Sequence, residues 1–345
     1  MKPNTYIFFR NDQQQVQFEF DPADPSCLDH AEFKYFGRVL NHLEPTIQNM
    51  GLTIYVTAWT VHELPSYGPN VISCILQDEW GREPKYRDKV GMVFKTCGTT
   101  PFNADSYKHG DLSDIISNTL GQGKAFTTDG AGRLGTLISR ISNKTIAPVH
   151  SIPLGYYAKE ESVADIPFTE RTNDLFFAGS IQHKKGKRFS IKRPKELARD
   201  RMTTALSLLA QNHPDINIKT TITGGFGESI VNANKAYLDN MVNTKICPVP
   251  RGANLETFRF YEAIRSGCII IGEAFPKGWF YDDAPIIRLE NWHDIQTIVP
   301  ELLADQDRML ELHTQTLDWW NNICSEQSLS DHIGDKITSF YKAKP

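Results

Sequence analysis

The stretch KICPVPRGANLETFRFYEAIRSGCIIIGEAFPKGWF, residues 245–280, decides how the chain is read. Its opening, KICPV, is a short apolar run of the kind that forms a buried strand. The turn PRGAN follows. Pro250 restricts its backbone, and Gly252 lets the chain pass close to a ligand. Asn254 is expected to cap a helix over Leu255–Ser266 and Gly267 to end it, with CIII (268–271) returning as a strand. A β-loop-α-β unit of this kind sets its loop at the carboxyl end of a strand and the amino end of a helix. Open α/β sheets bind ligands there, and the free N–H groups and dipole of the helix favour phosphate.

The charges fall in that unit. Arg251 sits in the loop, and Arg259 and Glu262 are three residues apart, on one helix face. A guanidinium beside a helix start suits a diphosphate, and a carboxylate one turn further on suits a ribose diol. On spacing alone a second reading stays open: an intrahelical Arg–Glu ion pair on a solvated face.

Outward from this unit, short β-rich runs alternate with longer helical patterns, which predicts parallel α/β sheets. On the amino-terminal side, Phe33, Phe36, Leu40, Leu43 and Ile47 form one helical stripe closed by Gly51. Strands are expected at 52–57, 71–77 and 90–95. The second block begins with the strand DLFFAG (174–179). A helix near 196–210, a strand near 216–222, the loop GGFGES (224–229) and a helix near 232–242 follow. The predicted organisation is an amino-terminal domain over 1–155, a linker over 156–173, a carboxyl-terminal domain over 174–320, and a terminal segment over 321–345 packing back on the first domain. The region from about 305 to 342 reads as helical.

Composition narrows the classes. The chain has 345 residues, 40% hydrophobic and 23% charged, with a formal net charge of -4, which fits a globular protein without a global field for nucleic acid. The apolar run at residues 6–9 is too short for a signal peptide, and no stretch approaches a membrane span. The six cysteines are scattered and none forms CxxC, so they read as buried reduced thiols in a cytoplasmic protein. No HExxH or paired-acid pattern points to a metal. Asp305 and Asp307 form the one Asp-x-Asp and read as helix surface.

The central segment resembles the sugar-nucleotide motif of the exostosin glycosyltransferase family at Pro250, Arg251, Gly252, Phe258, Arg259, Phe260, Tyr261, Glu262, Ala263, Gly267 and Cys268. LQDEWGREPKYRDKVGMVFK (76–95), IPLGYY (152–157) and FFAGS (176–180) look like segments of the related ribitol xylosyltransferase group. The resemblance implies a GT-B fold, two Rossmann-like parallel-sheet domains facing a cleft. It also implies an inverting, metal-independent transfer from a UDP-sugar, with no cofactor beyond that co-substrate. The acceptor would be a glycan or polyol phosphate, neutral or anionic, in surface polysaccharide synthesis. Carried over, Arg251 and Arg259 would hold the diphosphate and Glu262 the ribose, with Gly252 and Asn254 shaping the loop. The chain departs from the family in reading Gly-Ala-Asn-Leu-Glu where exostosins carry Asp-Ser before the helix. It also has Glu273-Ala274 where many members have Ser-Asp.

Further donor-binding candidates are Gly179 and Ser180 at the end of the DLFFAG strand, Lys185 and Arg188 in the basic run HKKGKRFSIKRPK (183–195), and Arg201 in the helix beyond it, where either Arg199 or Arg201 could point at the site. The basic run has three readings: a solvated loop, a clamp on donor phosphate or an anionic acceptor, or a peripheral contact with anionic lipid at the inner membrane face. An inverting transfer needs a base. Asp78 and Glu79 fit best, since they follow the strand VISCILQ and stand beside Trp80, a setting that would raise a carboxyl pKa. They read equally as a capping acid or as partners of Arg82 or Arg87. Three rival functions remain: a non-catalytic glycan- or nucleotide-binding relative, a dehydrogenase, which the lack of GxGxxG disfavours, and a nucleic-acid binder, which the charge disfavours.

Overall fold

A computed structural model of the chain describes residues 2–10, 16–24, 31–98, 146–157, 166–180, 194–223, 231–273, 275 and 278–343, with isolated helical positions between 115 and 134. It divides into two compact units. One takes the described residues of Met1–Phe102, Gln122–Tyr157 and Asn322–Pro345, and the other those of Asn103–Gly121 and Ala158–Asn321. Each unit is built on one largely parallel sheet, as the alternation of strand and helix patterns predicts.

In the first unit the strands are β1 (Thr5–Arg10), β2 (Val16–Phe20), β3 (Thr53–Thr57), β4 (Gly68–Ile75), β5 (Val90–Lys95) and β6 (Val149–Ser151), in the order β2-β1-β3-β4-β5-β6. Only β2 runs antiparallel. The helix α1 (Ala31–Ile47) buries Phe33, Phe36, Leu40, Leu43 and Ile47, the stripe expected from the periodicity. Against it lies the last helix of the chain, α7 (Glu326–Lys342), whose Leu329, Ile333 and Ile337 recur at four-residue spacing and are buried. The hairpin β1–β2 and the three-residue β6 were not expected from the sequence.

The second unit has β7 (Asn173–Ser180), α2 (Pro194–Asn212), β8 (Ile218–Thr223), α3 (Val231–Val242), β9 (Thr244–Pro248), α4 (Phe258–Arg265), β10 (Ile269–Gly272), β11 (Ile286–Arg288), α5 (Ile295–Ala304) and α6 (Gln306–Trp319). All five strands are parallel, in the order β11-β10-β9-β7-β8. Leu175, Phe177, Ile246 and Ile271 of the sheet pack with Met202 of α2 and Trp292 at the entry to α5. The expected single helical region over 305–342 is broken. A π-helical turn at Trp320–Cys324 separates α6 from α7, and Ser325 caps α7 by accepting from the Ser328 amide at 3.3 Å.

Cys74, Cys97, Cys247, Cys268 and Cys324 are all buried and unbridged. Burial pushes the Cys268 thiol up to about 12, so it stays protonated. No described helix is long and apolar enough to cross a membrane.

Candidate functional site

Strand order locates the site in the second unit. Within it, the first strand β7 lies between the second, β8, and the third, β9, so the direction of winding reverses between β7 and β9. Ligands of open α/β sheets bind outside the carboxyl ends of the strands at such a reversal. Those ends are Ala178-Gly179-Ser180 on β7 and the loop 249–257 that carries β9 into α4.

Guanidinium groups converge there. Arg259, in the first turn of α4, donates from Nη2 to the Ala178 carbonyl and lies 4.4 Å over the Phe177 ring. Arg199 of α2, nearly buried at 9% exposure, donates from Nη1 to the Ser180 carbonyl at 2.6 Å. Gly179 makes room for both: a Cβ at this position would stand 2.8 Å from Arg259 Nη2 and 3.6 Å from Arg199 Nη1. The sequence left open which of Arg199 and Arg201, both in this helix, would face the site; Arg201, the one set among the donor candidates, lies two positions on, about 200° around the helix axis from Arg199. Lys185, Arg188 and the GGFGES loop lie outside the described residues.

The start of α4 differs from expectation in a way that matters for binding. The helix begins at Phe258, not Leu255, and its N-cap is Thr257, not Asn254. Asn254 Oδ1 instead accepts from the Glu256 amide at 3.1 Å, closing an Asx turn inside the loop. Thr257 makes no side-chain cap bond; its Oγ1 is buried and has no hydrogen-bond partner, and the same is true of Arg259 Nε. Buried polar atoms are rarely left so, and here two of them stand with an uncapped helix start at the end of the sheet. Arg251 is half-buried in the same loop, and Gly252 is buried, where a Cβ would meet Thr257 Cγ2 at 3.2 Å.

Below this edge, two carboxylates are held by tyrosines. Glu262 accepts from Tyr237 of α3 at 2.6 Å, an inter-helix bond that the sequence spacing did not reveal. Glu256, 5% exposed, accepts from Tyr261, whose hydroxyl is 3.0 Å from that of Tyr281. Gly267 ends α4 as expected, with φ of 67° and its amide on the Ile264 carbonyl.

Of the readings open for Asp78, the structure shows the capping acid paired with Arg82 and not the raised carboxyl pKa. It is fully buried, with Lys95 Nζ at 3.1 Å from Oδ2, Arg82 Nε at 3.0 Å from Oδ1, and Thr60 at 2.5 Å. Burial pushes its pKa up, but Lys95, Thr60 and Arg82 outweigh it, and the carboxyl sits below its ordinary value. Asp78 therefore caps and anchors the turn after β4, accepting from the Arg82 amide at 3.0 Å. Glu79 beside it is exposed, as is Trp80 at 37%. Among the described residues no group of three or more His, Cys, Asp or Glu could hold a metal.

Comparison with known proteins gives a local likeness. Bovine exostosin-1 is 31% identical over 94 residues, 24% of this chain and 12% of that protein. Part of the chain is exostosin-like. The exostosin-1 homolog of Caenorhabditis elegans is 30% identical over 108 residues, 28% of this chain and 27% of that protein. The chain thus spans only a fraction of the relatives it matches. No family model matches it. Among solved structures, the pneumococcal O-GlcNAc transferase GtfA in complex with UDP and GlcNAc is 11% identical, with a TM-score of 0.43 over 79% of this chain and 57% of that one. Sucrose-phosphate synthase from Thermosynechococcus elongatus is 11% identical, with a TM-score of 0.44 over both whole chains.

Proposed function

We propose that the chain is a GT-B-type glycosyltransferase whose second unit holds the diphosphate of a UDP-sugar. The observation that carries this reading is the set of donors at the β7/β9 reversal: Arg259, Arg199 and Thr257 around an uncapped helix start, with Gly179 leaving them room. In the transfer, the acceptor oxygen bonds to the anomeric carbon as the bond from that carbon to the diphosphate breaks. The leaving UDP takes on negative charge, and fixed guanidinium groups and helix N–H donors stabilise it without having to reorganise. Arg251 belongs with this set by its place in the loop, as do Lys185 and Arg188 by sequence. Glu262 takes the ribose.

The base for an inverting transfer is assigned to Glu79. It is exposed at the carboxyl end of β4, whereas Asp78 is locked to Lys95. The acceptor is a glycan or polyol phosphate, with 183–195 available to an anionic one or to a lipid surface, and the setting is cytoplasmic surface-polysaccharide synthesis. A binding-only relative is the second reading, favoured by the withdrawal of Asp78 into an ion pair. Release of sugar from UDP-sugars by the wild type but not by Glu79→Gln supports the enzyme.

Calorimetry with UDP tests the site. Arg259→Ala removes a charge-assisted bond of roughly 1.5–3 kcal/mol, so affinity should fall roughly 10- to 150-fold. Unchanged affinity would place the donor elsewhere.

A further inference from the structure

We propose that Tyr237 is a positioning residue that fixes Glu262 for the ribose and makes the site select ribonucleotides over deoxyribonucleotides; this rests on the donor reading above. Tyr237 stands on α3, between β8 and β9, and Glu262 stands on α4, so the bond joins two helices rather than neighbours in one. At 2.6 Å, the phenol donates to Glu262 Oε2. A charge-assisted bond of this length restrains the carboxylate plane about its last torsion. The Tyr237 ring packs 5.8 Å from that of Phe176, so a phenylalanine would fill the same space. The hydroxyl's contribution is thus separable from the ring's.

The bond is durable. Burial and then the Glu262 carboxylate hold the phenol pKa well above its ordinary value, so the proton remains on Tyr237 across the working range. Glu262 lies one turn beyond Arg259, on the same helix face as the guanidinium that reaches the end of β7. A phosphate at that strand end leaves the adjoining sugar to the next turn of α4. A carboxylate held in orientation discriminates hydroxyl from hydrogen more sharply than a mobile one, because a site built to hydrogen-bond is left unpaired by the deoxy ligand.

The test is calorimetry of UDP, 2′,3′-dideoxy-UDP and inorganic pyrophosphate on the whole chain. The wild type should prefer UDP to its dideoxy analogue. Tyr237→Phe, shown folded by its melting curve, should cut that preference at least fivefold and leave the dideoxy and pyrophosphate affinities unchanged. Glu262→Gln should lower the same ratio, and adding Tyr237→Phe to it should produce little further loss. If Tyr237→Phe weakens all three ligands together, or leaves the ratio intact while Arg259→Ala still weakens UDP binding, Tyr237 has only a packing role and the donor site stands. If the wild type binds neither UDP nor pyrophosphate, the donor reading itself is overturned and this inference falls with it.

Discussion

At the residue scale the sharpest test is Thr257. Its hydroxyl is buried and makes no hydrogen bond, although it occupies the N-cap position of α4, where hydroxyls ordinarily bond. A hydroxyl kept for an anion and a hydroxyl left by accident respond oppositely to Thr257→Val, which preserves shape. The first loses UDP affinity, by about 1 kcal/mol for one hydrogen bond, while melting rises or holds. The second gains stability and binds UDP as before. Gly179→Ala should also weaken UDP binding, roughly tenfold by calorimetry, because its Cβ meets Arg259 Nη2 at 2.8 Å and turns the guanidinium aside with little effect on folding. Asp78 belongs to stability. Asp78→Asn leaves Lys95 buried without its counter-charge, a loss of about 3–5 kcal/mol in urea unfolding. Because the folded pKa of Asp78 is lowered, its stabilisation is present above the unfolded carboxylate pKa of about 3.9 and is lost as pH falls through the folded value. The gap between wild type and variant should therefore close only in strong acid. The cap and the Arg82 partner, four residues on, were legible in the sequence, but nothing in spacing brings Lys95, seventeen residues away, onto Asp78.

At the element scale, the β9–α4–β10 unit was the most legible part of the chain, for physical reasons. Two buried apolar runs flank a loop punctuated by Pro250 and Gly252, and Gly267 is needed where the chain turns left-handed. Gly267→Ala is doubly penalised: φ of 67° suits no Cβ, and that Cβ would stand 2.4 Å from His313 Cε1. The left-handed backbone alone costs roughly 1–3 kcal/mol, so the urea midpoint should fall by at least that equivalent. An unshifted midpoint would show that α6 yields to admit the methyl. The start of α4 was less legible. Asn254 is as good a cap as Thr257 by type, and the choice was made by burial of Glu256 under Tyr261, a contact five residues apart that helical spacing does not predict. The rotation of α2 was hidden for a similar reason. Arg199 and Arg201 both suit a cationic site, and only packing of Met202 and Leu206 into the sheet decides which reaches Ser180. The strands β6 and β11, three residues each, are too short for any periodicity to register.

At the scale of the whole molecule, the end of the chain completes the unit at its beginning. The stripe on α7 covers α1, where Gly334 lets the helices close: a Cβ there would be 3.0 Å from Thr46 Cγ2 and 3.4 Å from Leu43 Cδ1. Polar contacts pin the same helix and the turn before it. Tyr35 donates to the Cys324 carbonyl at 2.6 Å, Tyr156 to Glu326 at 2.5 Å, and Tyr341 to the Pro69 carbonyl at 2.6 Å. These partners lie on α1, after β6 and at the start of β4, so removing α7 uncovers one face of the first unit's core as well as one helix. Burying a Leu or Ile side chain contributes roughly 1.5–3 kcal/mol, and three such residues on α7 amount to much of a domain's usual net stability of about 5–15 kcal/mol. Deleting residues 326–345 should therefore strip hydrogen-exchange protection from α1, β3 and β4, while β9 and β10, whose core is formed with Met202 and Trp292, keep theirs. Persistent protection in β3 and β4 after the deletion would mean that α1 and the sheet hold without α7, and that its burial adds stability to a unit already able to fold.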